Sequence, residues 1–342
     1  MTVASTSTPE HPPRQSASTE RRSEWAVDNQ TDFGFFGPDS ISWEVLAAPA
    51  VSLMIAQITN LLEAPHVDFQ SILLDHDPLY LTNTKKQRSW RGDPTKKGGR
   101  ITDRLRRTVV GPLPIIFGDR EAARRCADRL TAYHRPMRGI NAEDGRPYSA
   151  VDADTMLFAA VTISHGALIA YERYAFRGLK WPARLPAEMR DRFFAETAEL
   201  AVLMGVPRER IPVTAREVDE YYRGQAHKYR TRKGYFGNQL RAAASQFKFS
   251  SADSVVSAAA DVVLLTSTFL AYSAIPRPCR RRHHIPAVAD PLLATVHFAV
   301  LPLFGLLQIP AVGRLVAGAY IGTENVDAIT RSLSARTGTP KR

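Results

Sequence analysis

Residues 118–139 read GDREAARRCADRLTAYHRPMRG. Asp119 suits a helix N-cap and Gly139 suits a helix end, so this segment predicts a helix over residues 119–138. Its apolar side chains recur three and four residues apart, which is the spacing of an amphipathic helix. The same spacing recurs through most of the chain, whereas the alternation typical of strands is scarce. We therefore predict an all-α protein.

The domain organisation follows from the same periodicity. It predicts further helices at residues 42–63, 67–74, 101–110, 152–175, 186–204, 215–244 and 251–274, with broken helices beyond. Gly and Pro clusters are too short to link independent domains. Residues 1–24 are rich in Ser, Thr, Pro, Glu and Arg and contain no signal-peptide core. We predict a disordered leader over 1–24, one large helical domain over 25–330 and a tail over 331–342.

Composition narrows the class of protein. Apolar residues make up 44% and charged residues 23% of the 342 residues, the balance of a soluble protein with a sizeable core. The formal charge of +11 does not by itself identify a partner. Cys126 and Cys279 form no CxxC pair, which argues against a zinc site and fits a reducing cytoplasm. No GxGxxG, GxxxxGK[ST], HExxH or GxSxG motif with the required context is present.

A basic segment interrupts the helical pattern. Residues 85–100 read KKQRSWRGDPTKKGGR and predict an exposed loop. With Trp90 as a stacking platform this loop could contact an anionic surface or nucleic acid, but a solvated loop is favoured. Because no recognised nucleic-acid-binding module accompanies the charge, we expect no nucleic-acid partner.

Two apolar stretches near the C-terminus raise the question of a membrane. Residues 254–275 contain Asp261, whose insertion would cost roughly 3 kcal/mol, so a buried core helix is favoured. Residues 285–322 contain four prolines and Arg314, and we expect no uninterrupted span of about 20 residues there. A peripheral membrane contact stays open.

His134 is the first candidate site residue. It follows Leu130 by four residues, at the edge of an apolar stripe formed by Cys126, Leu130, Tyr133 and Met137, so its ring is expected to face the interior. Pro136 cannot donate to the carbonyl of Ala132, which predicts a kink beside the histidine. A metal ligand and a core histidine bonded to a carbonyl both fit this pattern.

The string DRLRRT places Arg104, Arg107 and Thr108 at helical positions i, i+3 and i+4. Two guanidinium groups and a hydroxyl on one face would suit a carboxylate, such as a haem propionate or an acidic substrate. A solvated basic face explains the string equally well.

Other titratable groups favour structural interpretations. We expect His165 and Tyr171 to form a satisfied core pair, and His283 and His284 to lie in a basic loop. Glu196, Glu199, Glu217 and Glu220 lack the ExxH motif of a di-iron bundle and are expected at the surface.

Several short blocks, taken in order, carry a resemblance to a known family. They are FGPDSISW at 36–43, His66, His76, Arg104-Leu105 with Arg107-Thr108, Phe117-Gly118-Asp119, His134 with Arg138-Gly139, GRPYSAVD at 145–152 and AYERY at 170–174. Together these blocks resemble the MpaB-type oxygenase superfamily, which includes the latex-clearing rubber oxygenases. The resemblance covers roughly residues 33–222.

This resemblance implies an all-helical fold that holds a b-type haem, with His134 as the iron ligand. It implies that Arg104, Arg107, Thr108 and Arg138 contact the cofactor, and that His66 and His76 match two family histidines. Characterised relatives use dioxygen to cleave carbon–carbon double bonds in polyisoprene or prenyl chains. The expected function is therefore a haem-dependent oxygenase or oxidase of secondary metabolism, which acts on an apolar or prenylated small molecule.

The sequence departs from the family pattern on the distal side of the haem. Arg88 lies near the position of an acidic residue in rubber oxygenases, and Phe158-Ala159-Ala160 replaces a common Trp-Val-His. The distal base is thus unassigned. A non-catalytic haem- or lipid-binding protein on the same scaffold is the alternative.

Overall fold

The structure is a computed structural model that describes residues 32–76, 101–141, 144–230, 267 and 269–337, with only the backbone described for 101–105 and 335–337. Within these ranges the helices are α1 (Ile41–Leu46), α2 (Pro49–Glu63), α3 (Val67–His76), α4 (Ile101–Val110), α5 (Leu113–Phe117), α6 (Arg120–His134), α7 (Ala153–Tyr174), α8 (Ala187–Leu203), α9 (Ala215–Gly224), α10 (Arg277–Arg282), α11 (Asp290–Gly305), α12 (Pro310–Ile321) and α13 (Thr323–Thr337). The all-α prediction is confirmed.

Most predicted helices form, and the differences are at their ends. The helix predicted over 42–63 is two helices, α1 and α2, because Pro49 starts a new helix after Ala48 leaves the helical conformation. The helix predicted over 215–244 ends at Gly224 and continues only as a 3-10 turn through Lys228. The leader, the basic segment 85–100 and residues 231–266 lie outside the described residues. Helix α13 extends beyond residue 331, where we predicted the tail to begin.

Two long helices, α2 and α7, form the centre of the core. Buried side chains from both, among them Met54, Ile58 and Leu168, belong to one cluster with Phe193 of α8. The helices approach closely at Gly166, where an added Cβ would lie 2.4 Å from Oγ1 of Thr59. The absence of a side chain at Gly166 therefore sets the distance between the two central helices.

A second cluster joins the N-terminal and C-terminal parts of the described chain. Trp43 of α1 is fully buried and packs with Phe117, Ile321 and Ile329. Its indole Nε1 donates to the carbonyl of Ile116 at 2.6 Å. Burial of a large aromatic ring with its N–H satisfied fixes α1 against α5 and α13.

The sequence pattern missed a short hairpin between α6 and α7. Strands β1 (Arg138–Ile140) and β2 (Pro147–Ser149) pair antiparallel, with Gly139 opposite Tyr148. Each strand has three residues, too few to display an alternation of apolar and polar side chains. The hairpin takes the chain directly from the end of the His134 helix to the start of α7.

The described chain contains two helical segments that are long and apolar enough to cross a membrane. The first, Ala153–Tyr174, is α7, and 72% of it is buried inside the protein, as expected of a core helix. The second, Ala287–Gln308, is only 17% buried. Our prediction that prolines would break this stretch is wrong, because Pro291 lies in the first turn of α11 and Pro302 in its last, where a helix tolerates the lost donor best.

Candidate active site

Helix α6 carries His134 as its last residue. Asp119 is the N-cap and accepts from the backbone N–H of Ala122 at 2.7 Å, as predicted. The helix ends at His134 instead of kinking and continuing to 138, since Pro136 cannot extend it. The prediction that this stripe is buried is confirmed for Cys126. It is wrong for Tyr133, whose side chain is 62% exposed. His134 itself is half-buried, so its ring is less enclosed than we predicted.

One hydrogen bond defines the chemistry of the His134 ring. Its Nδ1 lies 2.7 Å from the carbonyl oxygen of Leu130, one turn earlier on α6. A carbonyl only accepts, so Nδ1 carries a proton, and in a neutral ring the lone pair is then on Nε2. This tautomer, with the second nitrogen bonded to a backbone carbonyl, is the form in which histidine commonly ligates a metal.

The predicted anion-binding face on α4 is not a single face. Arg107 is exposed, whereas the next residue, Thr108, is half-buried and lines a cavity. Successive residues of a helix point about 100° apart, which separates the two side chains. The side chain of Arg104 lies outside the described residues, although its backbone is helical. Arg138 is exposed on β1, four residues after His134.

A narrow apolar cavity lies between α2, α4, α5, α7 and α8. Its enclosed volume is small, about 50 Å³, and it opens to solvent on one side. Its lining residues are Phe36, Leu46, Val51, Ser52, Ile55, Thr59, Thr108, Val109, Pro112, Leu113, Ile116, Ile163, Ser164, Thr197 and Leu200. The lining is mainly apolar, with a few hydroxyl groups from Ser and Thr side chains. His134 is not among the lining residues.

Packing nevertheless connects this cavity to the His134 helix. Leu130, whose carbonyl binds His134, packs against the cluster that contains Leu200, as do Phe36 and Ile163 of the cavity wall. The thiol of Cys126 donates to the carbonyl of Gly111, just after α4, at 3.0 Å. Helix α6 therefore supports both the wall of the cavity and the end of the helix that carries Thr108.

The structure brings three of the sequence blocks together at the hairpin. The hydroxyl of Tyr148, from the GRPYSAVD block, donates to Asp75 at 2.6 Å and lies 3.1 Å from Nε2 of His76. Burial and the Asp75 carboxylate raise the pKa of Tyr148 well above its usual value. A Cβ at Gly139 would lie 2.7 Å from the Tyr148 hydroxyl. His76 thus contacts the hairpin that follows His134, a link that sequence order did not reveal.

His66 lies in a separate aromatic pocket. The residue is 2% exposed, and its ring is 4.1 Å from that of Phe158 and 5.7 Å from that of Tyr229, measured between centroids. Neither ring nitrogen has a hydrogen-bond partner among the described residues. Burial lowers the pKa of His66 to about 4, although Asp68 opposes this effect. Phe158, at the position of the family's tryptophan, therefore packs on this histidine.

Two other histidines are structural. His165 bonds to the hydroxyl of Tyr222 at 3.2 Å, while Tyr171 donates to Glu44, so the two residues are satisfied by different partners and not by each other. His283 is buried, and its Nε2 donates to the carbonyl of Leu61 at 2.7 Å. Its predicted place in a basic loop is wrong. In the part of the chain that is described, no group of three or more His, Cys, Asp or Glu side chains is arranged to hold a metal ion.

The fold and these clusters define an all-α protein with an apolar cavity supported by a helix that ends in a histidine. The family model for the ER-bound oxygenase mpaB/B'/rubber oxygenase catalytic domain matches residues 74–306, and the chain belongs to this family. It is an oxygenase by family, and the match extends further toward the C-terminus than the resemblance in the sequence blocks. Comparisons with curated proteins and with solved structures gave no match.

Proposed function

We propose that this protein is a haem b-dependent oxygenase or oxidase that acts on an apolar or prenylated small molecule in secondary metabolism, with His134 as the iron ligand. The hydrogen bond from Nδ1 of His134 to the carbonyl of Leu130 is the observation that carries the proposal. It presents Nε2 in the metal-binding tautomer and raises the basicity of that nitrogen.

The basic residues of the sequence blocks suit the negative charge of haem propionates. Arg107 and Arg138 are exposed cations that would pair with the two propionates, and Arg104 would join them. When bound, the haem supplies the dioxygen chemistry, and the protein supplies the axial ligand and the surroundings. The protein would hold the His134 ring in one orientation by its hydrogen bond to the carbonyl oxygen of Leu130.

The apolar cavity is the proposed substrate site. Its walls would exclude water and accept an isoprenoid-like chain, because they are built mainly from Leu, Ile, Val and Phe side chains. The Thr108 hydroxyl would give this wall a polar group beside the substrate. Cys126 and Cys279 are free thiols, which supports a cytoplasmic location.

The absorption spectrum of the purified full-length chain, supplemented with haem, tests the ligand assignment. The wild-type protein is expected to show a Soret band, and His134→Ala to lose haem affinity by more than about 10-fold. His227→Ala is the matched control, since His227 is an exposed histidine in a 3-10 turn and should leave the band unchanged.

The other outcomes discriminate between alternatives. No Soret band in the wild-type protein contradicts the proposal as a whole. A band that persists in His134→Ala contradicts only the ligand, and His66→Ala and His76→Ala are then measured in the same way. Oxygen uptake with a short polyisoprene, and carbonyl products, would support catalysis. A Soret band without oxygen uptake would instead support the non-catalytic haem- or lipid-binding alternative.

A further inference from the structure

Helix α11 has an apolar outer face that the described part of the protein leaves uncovered. Leu292, Phe298 and Leu303 are 66%, 65% and 60% exposed, and Leu306 follows in the adjoining 3-10 turn at 50%. Single exposed apolar residues are ordinary, but a contiguous group on one helix marks an interaction surface. We call these four residues the outer face of α11.

The opposite side of the same helix is anchored to the protein. His297, Leu301 and Phe304 are buried, and the rings of His297 and Phe304 lie 5.2 and 4.8 Å from that of Tyr174 in α7. The helix is therefore held along the surface by one stripe while it presents another. This is the arrangement of a helix that lies in a membrane interface, and it does not suit one that crosses the bilayer.

A second exposed element lies beside the end of α11. Residues 176–181 form a short tongue closed by the Arg177–Lys180 bridge, with Leu179 fully exposed and Trp181 57% exposed at its tip. Its Phe176 ring would lie 3.6 Å from a Cβ at Gly305 and is 5.4 Å from the Trp181 ring. The tongue and the outer face of α11 thus form one surface, with an exposed tryptophan of the kind enriched at membrane interfaces.

The charged residues of the tongue are positive. Lys180 and Arg184 are exposed on the tongue and just after it. The one acidic residue of α11, Asp290, is paired with Arg277 at 2.8 Å and Arg280 at 3.1 Å, so it does not offset these cations. An apolar surface with a basic border is complementary to anionic lipid headgroups over an acyl layer.

We propose that the outer face of α11 and the tongue 176–181 dock this protein onto an anionic lipid bilayer as a peripheral, non-spanning contact. A second copy of the chain fits the same surface less well, because two such borders would bring like charges together. Vesicle binding by this surface requires neither haem nor the proposed reaction.

Flotation of the full chain with vesicles of phosphatidylcholine, with and without phosphatidylglycerol, tests the proposal. The wild-type protein should bind the mixed vesicles, with an affinity that falls as salt rises. Phe298→Gln combined with Leu303→Gln should lower binding by at least about tenfold, given that each side chain is worth on the order of a tenfold change when buried in an apolar phase. Lys180→Glu should lower it by about fivefold or more.

Matched controls keep a negative result interpretable. Ile140→Gln removes an equally exposed apolar side chain from β1, and it should bind like the wild type. Circular dichroism checks that each variant is folded. The proposal is overturned if the wild type fails to bind at low salt, or if the double variant binds normally. It is also overturned if binding is abolished by neutralising Lys85, Lys86, Lys96 and Lys97 but is unaffected by the α11 and tongue variants. A dimer in sedimentation that the double variant dissociates would overturn it as well.

Discussion

Acidification from about pH 7 to about pH 4 is expected to unfold this protein, because several histidines are buried in their neutral form. Burial lowers the pKa of His66, His165 and His297 from 6.5 to about 4 in each case, and it lowers the pKa of His283 as well. His66 and His297 are also nearly inaccessible to water, whereas His165 is only half-buried and should contribute less.

The direction of the effect follows from proton binding. Below pH 6.5 the unfolded chain protonates these histidines while the folded protein does not, so the free energy of unfolding decreases as the pH falls. The loss continues until the pH reaches about 4, where the folded form protonates too. Each fully buried histidine would cost up to about 3 kcal/mol over this range, against a typical total stability of about 5–15 kcal/mol.

Urea unfolding followed by circular dichroism at several pH values between 7.5 and 4.5 measures this loss. His66→Leu should be nearly as stable as the wild type at neutral pH, because neither nitrogen of His66 has a hydrogen-bond partner to lose among the described residues. It should retain more stability in acid. A His66→Leu variant with the wild-type pH profile would contradict the mechanism.

The sequence predicted helices well because their signals are local. Asp119 as N-cap and Pro136 as the limit of α6 are each read within one turn of the chain. The hairpin was missed because three-residue strands carry no periodic signal, and Tyr133 was misplaced because helical periodicity gives a direction but not a depth. How far α6 is buried along its length depends on which helices pack against it, and that is set by the tertiary fold.

The candidate site was predictable as residues but not as an arrangement. The sequence blocks marked His76, Tyr148 and Gly139 separately, and only the fold places the Tyr148 hydroxyl between Asp75 and His76. Nothing in the local pattern distinguished Arg107, which is exposed, from Thr108, which lines the cavity. The sequence left two interpretations of His134 open, a metal ligand or a core histidine bonded to a carbonyl. The structure shows a bond to the carbonyl of Leu130. The bond is compatible with both, because metal-bound histidines commonly donate their other ring N–H to a backbone carbonyl.

Gly166→Leu is expected to abolish folding, and Gly166→Ala to destabilise the protein by about 1–3 kcal/mol. A Cβ at this position lies 2.4 Å from Oγ1 of Thr59 and 3.3 to 3.4 Å from the Thr59 backbone, so even one methyl group pushes α2 away from α7. Those two helices carry much of the main core and the wall of the apolar cavity. A larger side chain cannot be accommodated by rotating Thr59 alone, since the backbone itself is in contact.

Gly224→Ala provides a control of opposite sign. Gly224 is the last residue of α9, has helical dihedral angles and would place its Cβ in open space. Alanine there should stabilise the protein by about 0.5–1 kcal/mol, because it restricts the unfolded chain without a clash. The difference in the free energy of urea unfolding between the two alanine variants isolates the steric cost at the α2–α7 crossing. Adding Thr59→Ala should recover part of the loss in Gly166→Ala, as removal of Oγ1 relieves the shortest contact. Equal effects of alanine at the two glycines would show that the crossing does not depend on the missing side chain.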